Sequence, residues 1–288
     1  MITNNNRTAL ITGASSGIGT SFARKLASQG YDLVLIARRE AKLTQLAVEL
    51  QAQFHIKSET LVADLSHPDD IERVEERIVE LTNLELLINN AGFGIPGMFA
   101  EVPLNKTLTM IDVHVLASVR LSHAALLGMI TRNKGAIVNV SSVGAFIPRA
   151  GDATYCATKA YLVAFSQALQ GELLGTGIQI QVLCPGFVPT EFLDHPDYEM
   201  LQIKHKIPKW LWTSAEEVVE QSFRSLKHDQ GICIPGFKNR IFAAMARVGL
   251  AGVLTQSLAK SLHESNQLST KHLSTPVVDQ LSTRLRKP

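Results

Sequence analysis

The segment Thr8-Ala9-Leu10-Ile11-Thr12-Gly13-Ala14-Ser15-Ser16-Gly17-Ile18-Gly19 is an apolar, strand-like run that passes straight into three spaced glycines, and a helical stretch follows at once from Thr20 to about Gln29. Strand, glycine turn and helix in this order make the context a dinucleotide loop needs. Gly13 permits the tight turn, Gly17 lets backbone approach a pyrophosphate, and Gly19 allows close helix–strand packing, with the helix N-terminus facing the anion. Ser15, Ser16 and Ile18 complete the loop. Taken alone, the glycines also suit an ordinary tight turn.

Outward from this loop, short β-branched runs alternate with longer helical patterns. Thr8–Thr12, Asp32–Ala37, Glu59–Val62, Leu86–Asn89, Ala136–Val140 and Gln179–Leu183 read as strands between helices. Continuous apolar strands rather than alternating ones imply helices on both faces, so the expected fold class is α/β, a doubly wound parallel sheet of the Rossmann type. Leu104–Thr131 reads as one long helix and Tyr155–Leu174 as another, ended by Gly175 and Gly177. Residues 187–213 lose the alternation and carry Pro189, Pro196, Pro208 and two tryptophans, as a substrate lid does. A helix resumes at Ser214, where Glu217 three residues on completes a capping box.

Residues 1–237 are therefore expected to form a single cofactor-binding and catalytic domain. Residues 238–264 are helical in pattern and apolar, but Arg247 interrupts the run and Lys238, Arg240 and Lys260 flank it, which makes a poor transmembrane segment. Packing on the domain or on a partner subunit is preferred to a helix lying on a membrane surface. Residues 265–288 are rich in Ser, Thr and Gln and read as a flexible tail.

Composition narrows the function. A 288-residue chain with 45% hydrophobic residues can bury one substantial core, and a formal net charge of +2 lacks the one-signed field that nucleic-acid binding requires. Cys156, Cys184 and Cys233 are far apart, without the spacing of a disulfide framework or a zinc site. The polar N-terminus lacks the apolar core of a secretory signal, so a reducing cytoplasm is the expected location, with no metal.

The second strand ends in Ala37-Arg38-Arg39, where a site selective for NAD(H) would place a carboxylate on the ribose 2′-hydroxyl. Arg38, with Arg39 and Ser15, offers donors to a 2′-phosphate, so NADP(H) is expected in preference to NAD(H); the plainer reading is a pair of solvated helix-start arginines. Tyr155 and Lys159 lie four residues apart on a helix and so share a face, while Ser142 follows the strand Ala136–Val140 at the carboxyl edge of the sheet. A free phenol with a pKa of about 10 is a poor acid or base at neutrality, and a neighbouring ammonium favours its phenolate. In the reduction direction Tyr155 gives a proton to a carbonyl oxygen that Ser142 positions, and Lys159 supplies the charge and binds the nicotinamide ribose. A bare Tyr-x-x-x-Lys pair is also common on helix surfaces.

With its companions the pattern is specific. Thr12–Gly19, Asp64-Leu65, Asn89-Asn90-Ala91-Gly92, Val138–Ser142, Tyr155-x-x-x-Lys159 and Pro185-Gly186 with Thr190 occur in order over residues 7–190, and on them the chain resembles the short-chain dehydrogenase/reductase family, in its single-domain branch. The resemblance implies that Asp64 and Leu65 lie beside the adenine, that Asn90 and Gly92 line the cofactor groove, and that Pro185, Gly186, Val188 and Thr190 contact the nicotinamide side. It also implies an oxidoreductase acting on a carbonyl or secondary alcohol, assembled as a homodimer or homotetramer. In one place the chain departs from the family. Where the family has an asparagine that completes a proton relay to the lysine, this sequence reads Met110-Ile-Asp-Val-His114, so His114 either takes over the relay, titrating near neutrality, or is a packed helix residue. A lid bearing Phe187, Phe192, Leu193, Tyr198, Met200, Leu201, Trp210 and Trp212 suits an apolar substrate, though it equally suits packing onto the core. The competing function is a sensor or scaffold that binds NADP(H) without turnover.

Overall fold

The computed structural model describes residues 7–194 and 207–247. Seven strands, β1 (Thr8–Thr12), β2 (Asp32–Ala37), β3 (Ser58–Val62), β4 (Leu84–Asn89), β5 (Gly135–Val140), β6 (Ile178–Leu183) and β7 (Ile232–Cys233), make one sheet in the order β3-β2-β1-β4-β5-β6-β7. Every neighbouring pair is parallel. β7 is the strand the periodicity missed, since two residues are too few to show a pattern.

The sheet is covered on both faces because successive residues of each strand point to opposite sides. Ala9 and Ile11 of β1 and Leu33 and Leu35 of β2 pack with helices α1 (Gly17–Ser28) and α2 (Glu40–Phe54). Leu10, Val34 and Ile36 point the other way, onto α3 (Pro68–Glu80) and the long helix before β5. All five residues of β1 are buried, which explains a strand without polar alternation, whereas the edge strand β3 stays partly open and pairs its Glu59 with Arg77 of α3 at 2.7 Å.

The long helix expected over 104–131 runs to Arg132 but in three parts: α4 (Leu104–Ile111), a π-helical turn (Asp112–Leu116) and α5 (Ala117–Arg132). The helix carrying the Tyr-x-x-x-Lys pair, α6, spans Ala153–Glu172. α7 (Ala215–Lys227) starts as expected, with the Ser214 hydroxyl accepting from the Glu217 N–H at 3.1 Å. The box is only half closed, because the Glu217 carboxylate accepts instead from the Gln221 amide at 3.0 Å. α8 (Phe237–Arg247) is the described part of the expected C-terminal helix; the remainder of 238–264 and the tail 265–288 lie outside the described residues.

Candidate active site

The sheet reverses its winding between β1 and β4, and in open α/β sheets ligands bind beyond the carboxyl ends of the strands at that point. A cavity of about 710 Å³ opens there. Every residue expected from the sequence to bind cofactor or to act lines it, with the exception of Gly19.

Gly13 and Gly17 turn the chain with φ of 65° and 55°, the left-handed region that favours glycine. Gly19 is needed for packing: a Cβ there would lie 2.3 Å from the Gly13 carbonyl oxygen. The loop is braced from β4. Asn90 donates through Nδ2 to the Thr12 carbonyl at 2.9 Å, and the Thr12 hydroxyl accepts the backbone N–H groups of Asn90 and Ala91 at 2.9 and 3.0 Å. Thr12 is a bracing residue that the sequence reading passed over. Ser16, at the N-cap of α1, makes no side-chain cap, so the first-turn N–H groups of that helix are left to a ligand anion. A left-handed glycine cradle closed by an uncapped helix start fits the pyrophosphate of a dinucleotide.

The two arginines divide their work. Arg39 donates to the Ser15 hydroxyl through Nε at 3.2 Å and Nη2 at 3.0 Å, and pairs with Glu191 at 2.5 Å, which ties the loop to the far rim. Arg38 is the more exposed of the two, 3.6 Å from the Asp64 carboxylate and lining the same cavity. Leu65 follows Asp64 and is buried in the same cavity wall.

Tyr155 and Lys159 share a face of α6 against the end of β5. The Lys159 ammonium donates to the Val140 carbonyl at 2.9 Å and is almost wholly buried, and that burial lowers its pKa to about 8. Tyr155 does not follow expectation. Burial pushes its phenol up to about 12, against the Ser142 hydrogen bond and the charge of Arg149, both of which favour the phenolate. Lys159 stands 5.8 Å over the ring and is not what sets the shift, so desolvation wins and the phenol keeps its proton. The Ser142 hydroxyl, shared between Tyr155 and the Gly144 N–H at 3.1 Å, is fixed in place.

His114 sits in the middle of the π-helical turn, buried, and the expectation that it titrates near neutrality is corrected. Its Nε2 accepts the Phe93 N–H at 3.1 Å, so Nδ1 carries the proton and donates to the Thr158 hydroxyl at 2.9 Å, which in turn donates to the Tyr155 carbonyl. Burial first, then the Lys159 charge, hold its pKa well below 6.5. Gly92 makes room for it, since a Cβ there would meet Nε2 at 2.9 Å.

The end of the cavity beyond Tyr155 is mostly apolar. Phe187 and Phe192, two aromatic residues of the segment expected to be a lid, line it, with Phe192 5.9 Å from the Tyr155 ring. Trp212 packs on Phe187, while Trp210 is half exposed and stacks on Phe242 of α8. Tyr198, Met200 and Leu201 lie outside the described residues, as does the Leu193 side chain. Phe93, Ile147, Arg149, Asp152, Phe242 and Met245 also line the cavity and were not anticipated. The last two belong to α8, which the sequence places far from the motifs and the fold lays across the opening.

A family model described as short chain dehydrogenase matches residues 7–198. Very-long-chain 3-oxoacyl-CoA reductase of Bos taurus is 32% identical over 76% of this chain, which covers 68% of that protein. Inactive hydroxysteroid dehydrogenase-like protein 1 of Homo sapiens is 36% identical over 64% of this chain, which spans 56% of that protein's length. Among solved structures, a short-chain dehydrogenase from Sphingobium yanoikuyae in complex with NADPH superposes with a TM-score of 0.76 at 30% identity, covering 94% of this chain and 97% of its own.

Proposed function

The chain belongs to the short-chain dehydrogenase family, and on that footing we propose that it is an NADP(H)-dependent oxidoreductase that works between a ketone or aldehyde and the corresponding alcohol. The observation that carries the reading is the meeting of Ser142, Tyr155 and Lys159 in one wall of the cavity whose other end is the glycine loop. When bound, the nicotinamide supplies or accepts the hydride. The chain's own work is proton handling. A buried phenol that keeps its proton is a ready donor to a carbonyl oxygen, Ser142 holds that oxygen by a hydrogen bond, and the buried Lys159 ammonium favours negative charge developing on Tyr155 as the proton leaves.

NADP(H) is preferred in this reading because Arg38 is exposed at the rim of the cavity and the second strand ends without a carboxylate. An apolar carbonyl compound suits the aromatic walls, in keeping with the 3-oxoacyl-CoA named for one relative. Cys156, Cys184 and Cys233 form no disulfide, which suits a reducing, cytoplasmic setting. The stripe Leu104, Leu108 and Ile111, exposed at i, i+4 and i+7 on α4, suits burial against a second copy.

A second reading, an NADP(H) sensor without turnover, draws on His114 being locked neutral at the relay position and on a relative named as inactive. One experiment separates the two: following NADPH and NADH consumption with a panel of ketones, aldehydes and quinones for the wild type, Tyr155→Phe and Arg38→Asp. We expect Tyr155→Phe to lose about 10²- to 10⁴-fold in kcat with NADPH affinity kept. Arg38→Asp should move the NADPH/NADH preference about ten- to a hundred-fold toward NADH. Tight NADPH binding with no turnover by the wild type on any carbonyl would favour the sensor.

A further inference from the structure

We infer that Arg149, held by Asp152, is a specificity-determining residue that binds a second oxygen of the substrate, a carboxylate or ester carbonyl within a few bonds of the carbonyl being reduced. This inference rests on the oxidoreductase reading and deepens it.

Arg149 and Asp152 lie in the loop between Ser142 and Tyr155, and both line the cavity. Asp152 is the N-cap residue of α6 and Tyr155 is three residues on, so the two share a face about one turn, ~5 Å, apart. An aspartate at an N-cap ordinarily accepts a backbone N–H of the first turn. This one makes no such bond. Its Oδ2 accepts Nη2 of Arg149 at 2.8 Å, and its Oδ1 is buried with no hydrogen-bond partner among the described residues. The carboxylate is thus given over to orienting the guanidinium. The loop is itself anchored, since the Gly97 N–H donates to the Gly151 carbonyl at 2.9 Å.

The surroundings give the arrangement its meaning. Phe93, Ile147, Phe192 and Met245 make the neighbouring walls apolar, and Arg149, with 40% of its side chain exposed at the mouth of the cavity, is paired there with the mostly buried carboxylate of Asp152. A guanidinium has five N–H donors; Asp152 takes one and the Cys156 thiol also lies within its reach, which leaves the others for a further oxygen. Its charge reaches the reacting end of the site, because it is among the groups that favour the Tyr155 phenolate. Asp152 neutralises the pair overall, so Arg149 acts less as an attractor of any anion than as a directed fork for one oxygen near Tyr155. A substrate with a lone ketone satisfies Tyr155 and Ser142 but leaves the fork empty. A 3-oxo acid or ester fills both, and the second contact orients the reacting carbonyl.

The test compares an unbranched methyl ketone with the 3-oxo ester of equal chain length, at saturating NADPH, in the full-length wild type, Arg149→Met and Arg149→Lys. The wild type should prefer the ester, and in Arg149→Met the ester/ketone ratio of kcat/KM should fall about ten- to a hundred-fold, mostly through KM for the ester. Arg149→Lys keeps the charge without the fork, should lose only part of that ratio, and carries the test if the methionine variant fails to give a cooperative melt by circular dichroism. A merely structural role would lower both substrates together and leave the ratio alone. An active wild type with no ester preference, or a ratio unmoved in the folded variants, would overturn this inference while leaving the reductase reading intact. A wild type inert to both substrates would overturn the two together.

Discussion

His114 carries a prediction that belongs to a single side chain. An imidazole in the unfolded chain takes up a proton as pH falls through 6.5, whereas the buried one resists until well below that. Below pH 6.5 the unfolded state therefore binds more protons than the folded state, and stability falls on acidification. His114→Asn removes this term. Thermal midpoints measured from pH 7.5 down to 5 should fall more steeply in the wild type than in the variant, and parallel curves would refute the assignment of a neutral His114. Its place on a helix was readable from the helical pattern of Leu104–Thr131, and its match to the relay position from the family resemblance. Its protonation state was not, because the Phe93 N–H and the Thr158 hydroxyl that fix the tautomer come from two other segments. Tyr155 teaches the same lesson: spacing puts an ammonium beside a phenol, but only burial decides that the phenol stays protonated.

Among the elements, the glycine loop and α1 behave as one unit, and the pivotal contact lies between two parts of the same motif. A Cβ on Gly19 would press on the Gly13 carbonyl at 2.3 Å and on the Asn90 amide at 2.7 Å, so α1 would have to move off β1 and β4. Gly19→Ala should lower unfolding stability by about 1–3 kcal/mol, as overpacking does, and weaken NADPH at least ten-fold; denaturant melts and NADPH fluorescence titration read the two effects. This element was legible because its constraints are local. The π-helical turn was not, since the residues around His114 keep an ordinary apolar helix pattern and the widened turn shows only in the hydrogen bonds. Likewise the capping box at Ser214 was correctly placed, yet competition from Gln221 for the Glu217 carboxylate left it half made.

For the whole molecule, α4 leaves apolar side chains outside the core clusters of the described residues. Leu104 and Leu108 are 66% and 50% exposed one turn apart on α4. Light scattering should give a mass that is a multiple of one chain, and Leu104→Glu with Leu108→Glu should shift the protein toward monomer; a wild-type monomer would discard the assembly proposal. The amino-acid sequence by itself determined the doubly wound sheet, the dinucleotide loop and the positions of Ser142, Tyr155 and Lys159. It did so because strands buried on both faces, a turn that only glycine tolerates and a one-turn helix spacing are all written within a few neighbouring residues. Only the tertiary structure decided that α8 lies across the cavity, that Asp152 aims Arg149 into it, and that His114 and Tyr155 are held neutral. Those outcomes depend on desolvation and on partners brought from distant segments, and no local pattern encodes how much water a side chain loses when the chain closes around it.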